Sequence, residues 1–97
     1  MILHWTESAL KDKDSHIDYI AQDNIRAAID VGDEIERQIN LLAEHSKLGR
    51  VGRVKGTREL VIQGTPYIAA YKISGDCVHI LRFLHVAMNW NKQFFKP

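Results

Sequence analysis

The strongest constraint on this chain is a change of period. Ala28, Val31, Ile35, Ile39 and Leu42 recur at steps of three, four, four and three, the spacing of one apolar face on an α-helix. Asp30, Asp33, Glu34, Glu36 and Arg37 fill the opposite positions, so an amphipathic helix is expected from about Ile25 to about Glu44. From Arg58 the period falls to two, with Arg58, Leu60 and Ile62 alternating with Glu59, Val61 and Gln63. Tyr67 to Ile73 follows Gly64-Thr65-Pro66, and Cys77 to His85 follows Ser74-Gly75-Asp76. Runs rich in strand formers separated by turn residues read as consecutive hairpins.

The N-terminal half supplies the other layer. Ile2 to Trp5 reads as a short strand, and Thr6 or Ser8 can cap a helix carrying Ala9, His16, Ile17 and Ile20 on one face, interrupted by Lys13. Asn24 follows a polar break and can cap the second helix, and so short a break favours an antiparallel helical hairpin. A meander of strands must bury one face, and the helical hairpin is the material available to cover it. The expectation is a single domain over residues 1–97. Its fold class is α+β: two layers in the order β-α-α-β-β-β, a helical hairpin packed on an antiparallel sheet. Val86 to Pro97 is expected to form a short helix, with Phe94 and Phe95 needing somewhere to pack.

Charge is unevenly placed. Residues 1–45 hold ten acidic side chains and four Lys or Arg, a net of −6, whereas residues 46–97 hold two and nine, a net of +7. Lys47, Arg50, Arg53, Lys55 and Arg58 fall within 12 residues that contain no carboxylate. Such a segment makes a local positive field suited to an anionic partner. No apolar run approaches the roughly 18 residues of a membrane span, and the N-terminus lacks the pattern of a signal peptide. One cysteine, Cys77, excludes an internal disulfide. The reading is a reduced cytoplasmic protein with no membrane partner.

The catalytic signals are sparse. Gly49-Arg50-Val51-Gly52-Arg53-Val54-Lys55-Gly56 lacks the spacing of a phosphate-binding loop and reads as a bent basic connection. Cys77, at a strand start, reads as a small apolar filler. His79 and His85 are expected on one face of a strand about 20 Å apart, too far to share a metal. His4, His16 and His45 show no ligand spacing, so neither metal nor cofactor is expected. His85 ends the last strand near Arg82 and Trp90, where an imidazole beside cations could act as acid or base. Arg82 is expected to point with Ile80 and Leu84 and either to pair with Glu59 across the sheet or to contact phosphate.

The string from Gly49-Arg50 through Gly56-Thr57-Arg58-Glu59-Leu60-Val61, then Pro66-Tyr67-Ile68, Tyr71, Ile80-Leu81-Arg82, Leu84-His85 and Trp90 resembles the RelE/ParE superfamily of toxins from bacterial type II toxin–antitoxin modules. Its ParE-like members are the most similar. Trp5, Ala9, Tyr19-Ile20 and Asn24 fit as well, so the resemblance covers nearly the whole chain. Lys13 stands where the family usually has leucine, and Asn89 and Asn91 flank Trp90 where a proline commonly follows. The resemblance implies a toxin neutralised by a cognate antitoxin in a hetero-oligomer, with Asp30, Asp33, Glu34, Arg37 and a sheet edge as antitoxin contacts. RelE-type members cut mRNA on the ribosome, and ParE-type members poison DNA gyrase without cleaving RNA. The Lys/Arg cluster of the ribosome-dependent enzymes is missing here: those places read Leu60-Val61-Ile62 and Val86-Ala87. Gyrase poisoning is therefore the expected action, with Arg50, Arg53, Lys55, Arg58, Arg82 and Trp90 as target contacts. The alternatives are an mRNA interferase acting through His85, Arg82 and Arg58, and a degenerate toxin that only occupies its antitoxin.

Overall fold

A computed structural model describes residues 1–88 and 90. Its elements are β1 (Ile2–Trp5), α1 (Glu7–Asp23), α2 (Ile25–Asn40), a 3-10 turn (Leu41–Ala43), β2 (Arg50–Val51), β3 (Arg58–Val61), β4 (Tyr67–Ser74) and β5 (Cys77–His85). The expected two-layer α+β order is present, with β2 as an addition inside the basic stretch.

Single residues set the helix boundaries. Thr6, rather than Ser8, caps α1: its Oγ1 accepts from the Ala9 N–H at 3.1 Å. The same hydroxyl donates toward the carbonyls of Ile80 and Leu81, at 2.9 and 3.0 Å. One side chain thus starts the helix and fastens it to β5. Asn24 alone separates the two helices; its Oδ1 caps α2 through the Ala27 N–H at 3.0 Å, and its own N–H closes α1 on Ile20. The second helix stops at Asn40, and the 3-10 turn carries the chain on to Ala43, short of the expected Glu44.

The sheet order is β1-β5-β4-β3-β2. Strands β3, β4 and β5 form the expected antiparallel meander. Strand β1 runs parallel to β5, pairing Ile2 with Cys77 through Trp5 with Ile80, as the long helical crossover permits. The helices cover one face, burying Ala9, Ile35, Ile39 and Leu42 against Leu60, Ile62, Tyr71, Val78, Ile80 and Phe83. Each large aliphatic buried in this way contributes about 1.5–3 kcal/mol.

A bulge in β5 revises two expectations. Tyr71 pairs with Ile80 and its neighbour Ala70 with Arg82, so Leu81 is an extra residue. Alternation therefore flips within β5. Arg82 shares a face with Leu84 but not with Ile80. His79 pairs with Lys72 and His85 with Tyr67; these β4 positions differ by an odd number, so the two histidines lie on opposite faces rather than on one. Val86 and Ala87 form a turn, and the remainder of the expected tail helix, including Phe94 and Phe95, lies outside the described residues. Among the described residues no helix is long and apolar enough to cross a membrane.

Candidate functional site

Glu59 organises the basic edge. Its side chain is only 2% exposed, and β3 places it opposite Arg50 of β2. Arg50 donates to Oε1 from Nη2 at 3.0 Å and from Nε at 3.3 Å. Arg53 donates from its backbone N–H at 2.8 Å and from Nε at 3.0 Å to Oε2, and from Nη2 at 3.1 Å to Oε1. Burial opposes the charge on Glu59, but the bonds from Arg53 and Arg50 outweigh it and hold its pKa below the ordinary carboxylate value. Two guanidiniums on one carboxylate leave a surplus positive charge, and both remain about half exposed, 56% for Arg50 and 44% for Arg53. The Arg53 guanidinium also lies over the Trp90 ring, 4.0 Å from its centroid, a cation–π contact. Arg50, Arg53 and Trp90, three of the expected target contacts, are thus gathered at one place. Lys55 is exposed on the adjoining loop and makes no ion pair among the described residues.

Arg58 is separated from that group. It pairs with Val51 and Tyr71, on the face opposite Glu59, and donates to the Gly49 carbonyl at 2.8 Å. Tyr71 works beside it: its hydroxyl accepts from the Gly49 N–H at 2.9 Å and donates to the Ser46 carbonyl at 2.7 Å. Burial raises the Tyr71 pKa. A Cβ at Gly49 would stand 2.7 Å from the Tyr71 ring and 2.8 Å from the Glu59 carbonyl oxygen, so glycine is required there for close approach. These contacts fix the loop from which the basic edge is built.

Arg82 does not pair with Glu59. The two share a cross-strand row, but Ala70 of β4 lies between them, which sets them two strand spacings, about 10 Å, apart. Arg82 instead reaches Asp12 of α1, donating from Nε at 2.6 Å and from Nη2 at 2.8 Å. Asp12 Oδ2 also accepts from the Phe83 N–H at 2.9 Å. Strand β1 ends before this part of β5, so the carboxylate satisfies an edge that no strand covers. Asp12 raises the Arg82 pKa above its ordinary value.

His85 lies on the helical face, its ring 5.8 Å from that of Tyr67. His16 of α1 packs on the same tyrosine at 4.7 Å. Burial lowers the His16 pKa; the nearby Asp12 charge acts against it and His85 acts with it. The Ala87 N–H donates to His85 Nδ1 at 3.0 Å. The three residues expected to serve an RNA-cleaving reading, His85, Arg82 and Arg58, are therefore not brought together. His16 is the neighbour of His85 that the sequence did not reveal, because an i, i+4 relation to Asp12 on α1 says nothing about β5.

On α2, Asp30 and Asp33 are exposed and Asp30 pairs with Arg26. Arg37 and Glu34 neutralise each other, and Gln38 donates to Glu34 at 2.8 Å. Gln38 itself is buried and exchanges two bonds with the Gln63 backbone, at 3.0 and 2.7 Å. Beside this face, Ile25 is 69% and Ile29 53% exposed. They line a groove of about 440 Å³ between the helices, with Ile17, Ala21 and Gly32 at its floor and Asp14, Asp33 and Glu36 at its rim.

A small α+β protein whose sheet is covered on one face by a helical hairpin, with a cationic edge, is of the type found in toxins of toxin–antitoxin modules. The family model of the ParE toxin of the type II toxin–antitoxin system parDE matches residues 3–90, and the chain belongs to that family. The "Putative toxin Y4kP" of Sinorhizobium fredii (strain NBRC 101917 / NGR234) is 42% identical over 88 residues, 91% of each chain. "Toxin RelE2" of Caulobacter vibrioides is 35% identical over 83 residues, covering 86% of this chain and 92% of its own length. A solved structure titled "Chromosomal ParDE TA system from P. aeruginosa" superposes with a TM-score of 0.80 at 27% identity, covering 88% of this chain and 95% of that one. As a toxin of a type II system, the chain implies a cognate antitoxin as partner.

Proposed function

We propose that this toxin inhibits growth by binding DNA gyrase through its cationic edge, without cleaving RNA. The observation that carries this reading is the commitment of the arginines. Arg82 is held by Asp12 and Arg58 by loop carbonyls, so neither stands beside His85 to stabilise charge on a phosphate. Arg50, Arg53 and Lys55 present surplus charge outward with Trp90 beside it, an arrangement suited to binding. The antitoxin is proposed to dock along the helical hairpin, with Asp30, Asp33, Glu34 and Arg37 at its contact and the exposed Ile25 and Ile29 as its apolar contacts.

The second reading, a ribosome-dependent interferase, draws support from the pairing of His85 with His16 on Tyr67 and from the relative named a RelE toxin. Purified chain added to gyrase supercoiling reactions, and separately to ribosomes programmed with mRNA, tests both. Loss of supercoiling with intact mRNA is expected. Codon-positioned cuts that disappear in His85→Ala would overturn the gyrase reading.

A further inference from the structure

We propose that Lys13 selects the antitoxin, by pairing with a carboxylate on an amphipathic antitoxin helix laid in the groove between α1 and α2. This rests on the docking of the antitoxin along the helical hairpin. Lys13 is the residue that interrupts the apolar stripe of α1 in the sequence. The two helices carry four Lys or Arg residues, Lys11, Lys13, Arg26 and Arg37. Three of them pair with a carboxylate on their own helix: Lys11 with Glu7 at 3.0 Å, Arg26 with Asp30 at 3.5 Å, and Arg37 with Glu34. Lys13 makes no ion pair among the described residues, and its ammonium lies instead over the Trp5 ring, 5.1 Å from the centroid. The side chain is half-buried. A cation–π contact at a part-exposed site is weaker than a charge-assisted hydrogen bond to a carboxylate. Lys13 therefore holds charge that an arriving anion can still satisfy.

The position of Lys13 makes that charge decisive. Lys13 lines both the interhelical groove of about 440 Å³ and a second cavity of about 260 Å³ beside Trp5, Leu10 and Ile39. Glu36 of α2 is the other residue common to both, so one depression passes into the next between these two side chains. Exposed Ile25 and Ile29 recur at i, i+4 on α2 and give an apolar ridge suited to a helix seated in the groove. Away from Lys13 the rim is acidic, with Asp33 and Glu36 exposed. Charge complementarity thus specifies the occupant. Its apolar stripe is flanked by Lys or Arg toward Asp33, and one Asp or Glu faces Lys13. A segment with a cation at that place would set like charges together at a half-buried position, so the same residue rejects wrong partners.

The test is an affinity titration of the full chain with the cognate antitoxin that co-purifies with it, stripped from the complex and added back. Lys13→Glu should weaken binding by more than about tenfold, and Lys13→Arg should keep it. Lys13→Met retains an apolar stem beside Trp5. It should bind less tightly and lose part of the salt dependence, with a Tm near that of the parent. Among antitoxin variants with single Asp or Glu residues changed to Lys, one should restore affinity for Lys13→Glu and lose it for the parent. Ile29→Asp, at an exposed position in the groove, tests the docking reading separately. If Ile29→Asp weakens binding while Lys13→Glu and Lys13→Met bind as the parent does, the docking reading stands and the role of Lys13 falls. If neither position changes affinity, the antitoxin lies elsewhere and both fall. A homodimer of the free chain that Ile29→Asp dissolves, with antitoxin affinity unchanged, would give the groove to a second copy and overturn the assignment.

Discussion

Two arginine–carboxylate arrangements occupy the ends of one cross-strand row, Arg50–Glu59–Ala70–Arg82, and they do different work. At the β2 end, one deeply buried carboxylate gathers two half-exposed guanidiniums and leaves surplus charge facing outward. At the β5 end, Asp12 holds Arg82 with side chains 15% and 18% exposed, and the same carboxylate closes the open strand edge through Phe83. The first arrangement builds a surface, and the second fastens a helix to a sheet. Charge count and exposure, rather than the identity of the pair, separate a binding role from a structural one.

The largest effect should come from Glu59→Ala. It removes the acceptor of the hydrogen bonds from Arg50 and Arg53 and the anchor of the Arg53 loop, while the half-exposed guanidiniums turn to water, so a loss of about 3 kcal/mol is expected in chemical denaturation. Arg50→Gln, at a half-exposed position, should cost no more than about 1 kcal/mol. Equal costs for the two would break the asymmetry assigned to this end of the row. Replacing both Arg50 and Arg53 with glutamate would set three carboxylates together, so that variant reports on folding before it reports on target binding.

At the other end, Asp12→Ala removes the acceptor of the Phe83 N–H and of Arg82 Nε and Nη2. About 2–3 kcal/mol is expected, in the range for stranding donors to a charged group. Arg82→Lys keeps the charge and loses the two-pronged geometry, so it should cost less than Asp12→Ala. Hydrogen exchange at Phe83 sharpens the comparison: it should accelerate in Asp12→Ala and stay slow in Glu59→Ala molecules that remain folded.

Acidity separates two further contributions. The Glu59 pKa is lowered in the fold, so its stabilisation is complete above the unfolded carboxylate value of about 4.3. It is lost as pH falls through the lower folded value. His16 is also lowered, because burial disfavours its charged form. Its contribution is complete above about 6.5 and declines as pH falls from there to its folded value, because the unfolded chain takes up the proton first. Stability measured against pH should show an upper decline that vanishes in His16→Gln and a lower one that persists there. Persistence of the upper decline in His16→Gln would assign it to another group.

The sequence disclosed this architecture wherever a local period existed. The stripe from Ala28 to Leu42 and the alternations of the three later strands gave both layers, and Asn24 gave the hairpin. It did not disclose what depends on register. The bulge at Leu81 reverses the face of every residue after it, which moved His85 away from His79 and Arg82 away from Ile80. Asp12 lies 70 residues from Arg82, and no spacing could have preferred it to Glu59. The basic stretch was legible as charge, but the division of its arginines among Glu59, Gly49 and Trp90 follows from a two-residue strand too short to leave a pattern.

Lys55 gives the smallest expected change in stability and the sharpest functional contrast. It is exposed, makes no ion pair among the described residues and lies on the loop between Arg53 and Arg58. A substitution there should alter folding stability by no more than about 0.5 kcal/mol. If the surplus charge at the β2 end engages a target, Lys55→Glu should weaken inhibition of supercoiling and reduce its sensitivity to salt, since one fewer cation then meets the partner. Antitoxin binding, proposed for the helical hairpin, should be unchanged in the same variant. Equal inhibition by the parent and Lys55→Glu at every salt concentration would remove this loop from the target surface. A parallel loss of antitoxin affinity would show that the two partners share this edge.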